Sequence, residues 1–445
     1  MAPPTEPPPL SGDEIVALAK KHTIFEWTAQ GAVDPVPIAR AKGSCFWTPE
    51  GKRFLDFNSQ LMSVNLGHGD ERVIRAIQAQ LAKLQYASPA TATEPRARLG
   101  ARLAEIAPGD IDVFFFTNGG ADANENAVRI ARQFTGRHKV LARYRSYHGA
   151  TAGAIALTGD PRRWANEPAI PGVVHVPDPY HGVQRGWDDT AAALAALEEV
   201  IQLEGPQTIA AFILEPVTGT NGILVPPDGY LEGVRALCTK YGILMIADEV
   251  MAGFGRTGEW FAVNHWKVVP DLLTMAKGLT SSYFPLGAVG MRRHIGEHFR
   301  ERVFYGGLTY GSHPVACAAA LAAIDAYVED GLVERARTTG RIMKALLAEL
   351  EAKHPSVGAV RSIGLFGAVE LVRNRRTREP MAPFNGSSPE MQALSRFFRQ
   401  EGLFTIVRWN YFFTNPPLVV TEAELREGFA IIDRGLELAD RAVVG

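Results

Sequence analysis

An α/β fold is predicted for this chain: a large domain with a mostly parallel sheet flanked by helices, followed by a smaller α+β domain. Three observations carry that prediction. Between residues 113 and 275, six short Val/Ile/Leu/Phe-rich runs alternate with segments of helical periodicity. The runs are apolar along their length instead of alternating, as strands buried on both faces are. The 445 residues, 46% of them hydrophobic, can bury a core large enough to divide between more than one domain.

In chain order, the proline-rich residues 1–9 are expected to form a disordered arm. A polar helix is predicted over 11–22, with Ser11 or Asp13 at its cap. The stretch 45–57 reads as two short strands joined by the turn Pro49-Glu50-Gly51. Val73, Ile74, Ile77, Leu81 and Leu84 recur at helical spacing within 71–85. The strand candidates are 113–117, 140–144, 172–176, 209–214, 242–247 and 271–275, with helices over 123–134, 190–203 and 231–241 between them. After Pro314 comes a long helical region with a break at Asp330-Gly331, and then the smaller α+β part. No internal repeat and no flexible linker stand out, so the second domain is expected to pack tightly on the first. The domain boundaries follow: an N-terminal segment 10–65 packing with the small domain, a large domain 66–325 and a C-terminal small domain 326–445.

Bulk chemistry narrows the function. Lys and Arg number 46 against 48 acidic residues, a formal charge of −2 that offers no field for nucleic acid or an anionic membrane. Cys45, Cys238 and Cys317 are far apart and in no Cys-x-x-Cys spacing, which argues against disulfides and zinc and for a reducing, cytoplasmic setting. The N-terminus has neither the basic nor the apolar region of a signal peptide. The alanine-rich apolar run 315–324 stops at Asp325, short of the roughly 18 residues of a membrane span.

The chemistry-bearing stretch runs from Gly242 through Asp248 to Gly258, followed by Pro270 to Gly278 with Lys277. An apolar strand ending on a carboxylate, with a lysine shortly downstream, suits a pyridoxal-phosphate (PLP) site: the carboxylate keeps the ring nitrogen protonated and the lysine forms the Schiff base. Upstream, the stretch 114–132 has a strand, a small-residue turn and a helix. Gly119, Gly120 and Ala121 leave room for an anion to reach backbone N–H groups where the helix dipole begins. The turn is neither a P-loop nor a dinucleotide fingerprint, and alone it reads equally as a ligand-free strand-to-helix turn. Thr309 could offer a hydroxyl to a phosphate, though alone it is an ordinary loop threonine. Tyr147, just past a strand, could stack on a pyridine with Val250 on the opposite face; alone, each reads as core.

The order of motifs resolves these alternatives. The glycine-rich turn is followed by Tyr147-His148-Gly149, Glu215-Pro216, Asp248-Glu249, the Gly253–Gly258 run, Lys277-Gly278 and Gly307-Leu308-Thr309-Tyr310, with Asn65-Leu66-Gly67-His68-Gly69 before them and Asn415-Pro416-Pro417-Leu418 after. Together, from about Pro37 onward, they resemble the class III aminotransferases, a fold-type-I PLP family. The resemblance implies a PLP-binding large domain, Lys277 as the Schiff-base lysine and Asp248 as partner of the pyridinium nitrogen. It places Gly119, Gly120 and Ala121 at the phosphate, although the family usually has Gly-Ser where this chain has Gly120-Ala121, and Glu where it has Asp122. Tyr147, His148 and Val250 fall among the cofactor contacts. Thr309 would reach the phosphate bound by a neighbouring subunit, which implies a homodimer or higher assembly with shared sites. Glu215 and Arg256 read as structural. The implied reaction is ping-pong: an amine donor displaces Lys277, whose freed amine moves the proton, pyridoxamine phosphate carries the amino group, and a 2-oxo acid takes it. No metal is needed.

Two departures bear on substrate. The ornithine and 4-aminobutyrate branch has Glu where this chain has Thr220 and Gln where it has Met251; amine:, taurine: and β-alanine:pyruvate enzymes have small or apolar residues there. Arg408 matches a mobile arginine able to pair with a substrate carboxylate and swing away for an amine lacking one; a surface arginine is the alternative. Leu61, Met62 and Ser63 fall where the family lines its substrate pocket, with core packing an equal alternative. The resemblance thus points to transfer from an ω-amine or β-/ω-amino acid to pyruvate. An aminomutase, a dialkylglycine-type decarboxylase and a 2-oxoglutarate-using enzyme are the alternatives.

Overall fold

The computed structural model describes residues 8–444, so the arm expected over 1–9 falls outside the described residues up to residue 7. The organising element is a seven-stranded sheet made of β1 Ile111–Thr117, β2 Lys139–Arg143, β3 Val173–Val176, β4 Ile209–Leu214, β5 Leu244–Asp248, β6 Leu272–Met275 and β7 Gly287–Arg292. Their spatial order is β1-β7-β6-β5-β4-β2-β3. Strands β3, β2, β4, β5 and β6 pair in parallel, while β7 runs antiparallel to both β6 and β1. The sheet is buried on both faces: every residue of β4, β5 and β6 is buried, which is why those runs carry no polar alternation.

All six predicted strands are present. β7 was not anticipated, because Gly287-Ala-Val-Gly290 has too little side chain to signal a strand. The glycines are there for contact. A Cβ on Gly287 would lie 2.4 Å from the Gly119 carbonyl, and one on Gly290 would lie 2.8 Å from Ile111 Cγ2. β7 therefore presses its backbone directly against the turn that follows β1. The helix Glu94–Ile106 was also missed: only Leu99 and Leu103 are buried on it, so its apolar stripe is too thin to read.

The predicted capped helix is Gly12–His22, with Ser11 and Glu14 forming a reciprocal capping box. The break near 330 is real: Gly331 (φ 57) separates the helices Pro314–Glu329 and Leu332–Lys353. Further on, Val357–Ile363, Phe366–Asn374, Tyr411–Thr414 and Val407–Arg408 form an antiparallel sheet, with the helices Leu332–Lys353 and Pro389–Gln400 against it and Glu422–Asp440 packed on those two helices. A third, small sheet joins the two ends of the chain. Arg53–Asp56 pairs antiparallel with Cys45–Trp47 and parallel with Leu403–Phe404. Phe57 continues that strand into the C-terminal helix, where a Cβ on Gly428 would lie 2.1 Å from Phe57 Cζ.

The three cysteines are free and buried. Among the described residues, no His/Cys/Asp/Glu group could hold a metal ion, and no helix is long and apolar enough to cross a membrane.

The Gly428 contact generates a stability prediction. Gly428→Ala overpacks the Phe57 seam, a defect that costs about 1–3 kcal/mol, and it should lower the thermal unfolding midpoint at fixed protein concentration. An unchanged midpoint would show that the seam yields without strain.

Candidate active site

Parallel pairing of β5 with β6 sets Asp248 opposite Thr274, so the carboxylate and the lysine that follows β6 emerge at the same carboxyl edge of the sheet. In open α/β sheets that edge is where ligands bind. A cavity of about 610 Å³ opens there, lined among others by Gly120, Ala121, Tyr147, His148, Asp248, Val250 and Lys277.

Asp248 is only 4% exposed and is held from both sides. Its Oδ2 accepts from Asn124 Nδ2 (2.8 Å) and His148 Nδ1 (2.8 Å), and its Oδ1 accepts from the Val250 N–H (3.0 Å). Asn124 is fixed in turn, because Thr274 Oγ1 donates to its Oδ1 at 2.7 Å and its Nδ2 also reaches the His148 carbonyl at 2.8 Å. Four residues separate Gly120 from Asn124 on the helix Gly120–Thr135, so both look into the cavity from one helical face.

The turn at the start of that helix is a cradle. Gly119 is extended and no side chain caps the first N–H groups, which leaves them free to bind an anion. A Cβ on Gly120 would stand 2.9 Å from Val250 Cγ1, and one on Gly149 (φ +134) would stand 2.5 Å from Ala121 Cβ. Glycine is required at both positions to keep the cradle open.

Lys277 follows β6 in a left-handed conformation (φ 43), a backbone state uncommon for lysine and concentrated at functional sites. Burial pushes its amine down to about 8, against the opposing pull of the Asp248 and Glu215 carboxylates. Glu215 is buried, and burial pushes its carboxyl up. It accepts from the Tyr147 N–H (3.0 Å) and the Gly219 N–H (2.8 Å), which locks the start of the Tyr147 loop. Burial also raises the Tyr147 phenol. The Tyr147 ring meets the edge of Trp27 at 6.1 Å and carries the Arg162 guanidinium 3.7 Å from its centroid.

Arg162 leads to Arg408. Buried Asp160 accepts from Arg162 Nε (3.0 Å) and Nη2 (2.5 Å), from Arg408 Nη2 (3.2 Å) and from Asn221 Nδ2 (3.3 Å). Arg162 Nη2 also reaches Thr220 Oγ1 at 2.7 Å. Arg408 lies over Trp409 at 4.4 Å, and its Nε has no partner. Two cations thus share one carboxylate beside the cavity.

The structure brings together Lys277, Asp248, Gly120, Ala121, Tyr147, His148 and Val250, with Leu61 at the mouth. Gly119 sits directly behind the cradle, its carbonyl accepting from Thr117 Oγ1 at 3.1 Å. Arg408 reaches the cavity only through Asp160 and Arg162. Thr309 is on an exposed loop away from its own chain's cavity, its carbonyl accepting from Tyr86 Oη at 2.9 Å. For Met62, pocket lining and core packing stood as equal readings, and the structure packs it in the core. It is 2% exposed, in an apolar cluster with Phe366 and Tyr411, because the chain turns over between it and Leu61. Asn124, Thr274, Asp160 and Arg162 were not singled out as site residues. Asn124 was legible from its four-residue spacing to Gly120; Arg162 carries no local signal, since only the fold brings it over Tyr147.

Comparisons with known proteins agree with this geometry. The family model for class-III aminotransferases matches residues 28–436. The chain is 35% identical over 422 residues to the putrescine–pyruvate aminotransferase of Pseudomonas aeruginosa, spanning 92% of this chain and 91% of that one. It is 36% identical over 401 residues to the taurine–pyruvate aminotransferase of Rhodobacter capsulatus, spanning 84% and 86%. Among solved structures, the taurine:2-oxoglutarate aminotransferase of Bifidobacterium kashiwanohense, in complex with PLP and glutamate, matches with a TM-score of 0.95 and 41% identity over 98% of this chain and 100% of that one. The chain belongs to the class-III aminotransferases: it has the fold-type-I architecture and is a PLP-dependent enzyme acting on amines or amino acids.

The lowered amine supplies a pH prediction. Only a neutral amine adds to an aldehyde, so covalent uptake of PLP by the cofactor-free enzyme should quicken with pH and level off above about 8 instead of near 10.5. Stopped-flow absorbance checks it, and a rate still climbing steeply past pH 9.5 would contradict the buried-amine account.

Proposed function

We propose that this enzyme moves the amino group of an ω-amine or a β-/ω-amino acid to a 2-oxo acid, with pyruvate as the principal acceptor, in a ping-pong cycle of two half-reactions. The observation that carries the proposal is the pair Arg162 and Arg408 sharing Asp160 beside Tyr147. Arg408 keeps a single contact to that carboxylate and an unpartnered Nε. It can therefore pair with an incoming carboxylate and return to Asp160 when the amine has none. Thr220 in place of an acid leaves Arg162 a neutral hydroxyl partner besides Asp160, so no second carboxylate repels an anionic substrate there. The pyruvate-named relatives support the choice of acceptor.

The residues fit PLP: an uncapped helix start for a phosphate, an aromatic ring and a valine lining the cavity, a clamped carboxylate and a buried amine. Gly119, Gly120 and Ala121 would hold the phosphate, Tyr147 and Val250 would flank the ring, and Asp248, oriented by His148 and Asn124, would keep the ring nitrogen protonated. PLP, when bound, supplies an aldehyde for the amino group and an electron-withdrawing ring. Lys277, whose buried amine is neutral over much of the working range, would serve as the base that carries the proton in both half-reactions. Thr309 completes the phosphate site of a second copy. Its exposed loop, flanked by exposed Tyr305 and Tyr310 with Tyr86 against it, supports a homodimer or a larger even assembly with active sites at the subunit interface. The pairing of Arg53–Asp56 with Leu403–Phe404 supports grouping 10–65 with the small domain 326–445, apart from the large domain 66–325. The buried free thiols suit the cytoplasm.

A second reading, 2-oxoglutarate as acceptor, is favoured by the presence of two guanidinium groups and by the relative of that specificity. An amine-donor panel run against both acceptors separates the two. Alanine as the dominant product supports pyruvate and glutamate the alternative, whereas carbon dioxide release or isomerised donor without either product defeats the transamination reading.

Two variants test the roles. Lys277→Ala should slow both half-reactions by at least about 10²–10⁴-fold, the range for a lost general base, in single-turnover absorbance. Arg408→Ala should cut kcat/KM for the 2-oxo acid about 30-fold, equivalent to roughly 2 kcal/mol of charge-assisted hydrogen bonding. It should spare an amine donor that has no carboxylate. Equal losses on both substrates would place Arg408 outside acceptor recognition.

A further inference from the structure

The loop that brings Leu61 to the cavity is wound against its own backbone preferences. Ser59 (φ 46), Gln60 (φ 56) and Met62 (φ 54) all sit at positive φ and none is glycine. Gln60, at ψ −88, falls outside even the left-handed helical well. Such a run persists only where the surroundings over-determine it.

Two fully buried charged residues do so here. Asp56, at the end of its strand, accepts from the Asn58 N–H (3.2 Å), the Gln60 N–H (3.0 and 2.9 Å), Gln60 Nε2 (2.9 Å) and His68 Nε2 (3.1 Å). Arg256, in the loop after β5, approaches from the other side. Its Nη2 donates to Ser59 Oγ (3.0 Å) and Asn65 Oδ1 (2.7 Å), and its Nη1 to the carbonyls of Leu365 (3.0 Å) and Pro416 (2.5 Å). Ser59 Oγ then donates to the Asn415 carbonyl at 2.7 Å. The start of the turn is tied at Asn58 and Gln60 to a carboxylate and at Ser59 to a guanidinium, which also holds Asn65 beyond the turn and two C-terminal segments. Between these ties and the Asn65 contact, Leu61 is left 56% exposed and lining the cavity while Met62 is buried.

We propose that Asp56 and Arg256 are positioning residues for donor selectivity: they hold the 58–63 turn in its strained winding and so fix Leu61 as a rigid wall of the donor pocket. The proposal rests on the cavity being the donor site. Neither residue touches the reacting atoms. If the turn relaxed, Leu61 would leave the mouth and the size limit on the donor would change with it.

A double-mutant cycle on the holoenzyme tests this. Asp56→Asn puts a donor where the carboxylate now accepts, and Leu61→Ala removes the wall itself. The readout is the ratio of kcat/KM for a bulky arylalkylamine to that for a short ω-amino acid, with pyruvate as acceptor. In the native background Asp56→Asn should shift the ratio about tenfold, within the range of coupled neighbours. The change should fall on KM for the bulky donor, with the cofactor's absorbance band unmoved. In the Leu61→Ala background the same substitution should move the ratio by less than about twofold. An equal shift in both backgrounds, no shift in the first, or a uniform loss of kcat for both donors overturns the proposal. If Asp56→Asn does not fold, Gln60→Ala and Ser59→Ala each remove one tie, and the same two-background comparison decides. Native enzyme that transaminates neither donor defeats the functional reading instead, and the ratio is then taken with the donors and acceptor it does turn over.

Discussion

A carboxylate sealed inside a parallel sheet must be satisfied, and most of the site's geometry follows from meeting that demand at Asp248. Water cannot do it at 4% exposure, and an unpaired buried charge is strongly disfavoured. Three donors converge on it instead: Asn124 from the helix, His148 from the loop after β2 and the backbone of Val250. Each comes from a different segment, so satisfying one side chain registers all three against the sheet edge. Thr274 on the adjacent strand then orients Asn124, which carries the constraint to the strand that ends just before Lys277. Chemical groups far apart in sequence are held together because one charge has nowhere else to turn.

Packing performs the complementary task of keeping space open. At Gly120 and Gly149 a Cβ would invade the region around Val250 and Ala121, and at Gly287 it would strike the Gly119 carbonyl. The cradle is therefore walled by backbone on several sides, so the positions of its N–H groups are set by strand and helix packing and not by side-chain rotamers. The missing hydroxyl at Ala121, relative to the usual Gly-Ser of the family, matters less in such a site. Backbone donors at a helix start carry most of the affinity for a phosphate.

The fold and the gathering of these residues around one cavity were largely legible in the sequence, and the reasons are specific. Strands buried on both faces show as unbroken apolar runs, and Asp248, Lys277 and the glycine turn sit at strand ends where periodicity stops. What escaped was written in the fold's long-range contacts. β7 is too glycine-rich to look like a strand, and Glu94–Ile106 buries only two leucines. Asp160 and Arg162 acquire meaning only when the chain folds them over Tyr147. Leu61 and Met62 fell together where the family lines its pocket, and the sequence could not choose between that and core packing for either one. The positive-φ turn separates Leu61 from Met62, and no residue type there announces such a winding, since glycine, its usual marker, is absent.

The two-to-one stoichiometry around Asp160 has a consequence for reversibility. A lone arginine leaving its buried carboxylate would strand an uncompensated anion, and the barrier to leaving would be high. Here Arg162 holds Asp160 through both its Nε and Nη2, independently of the one contact from Arg408. If Arg408 swings away as proposed, the counterion would not be left bare, and the exchange of one oxyanion for another would leave the local charge nearly constant. The proposed alternation between a charged and an uncharged guest would then need no change in the protein's own ionisation.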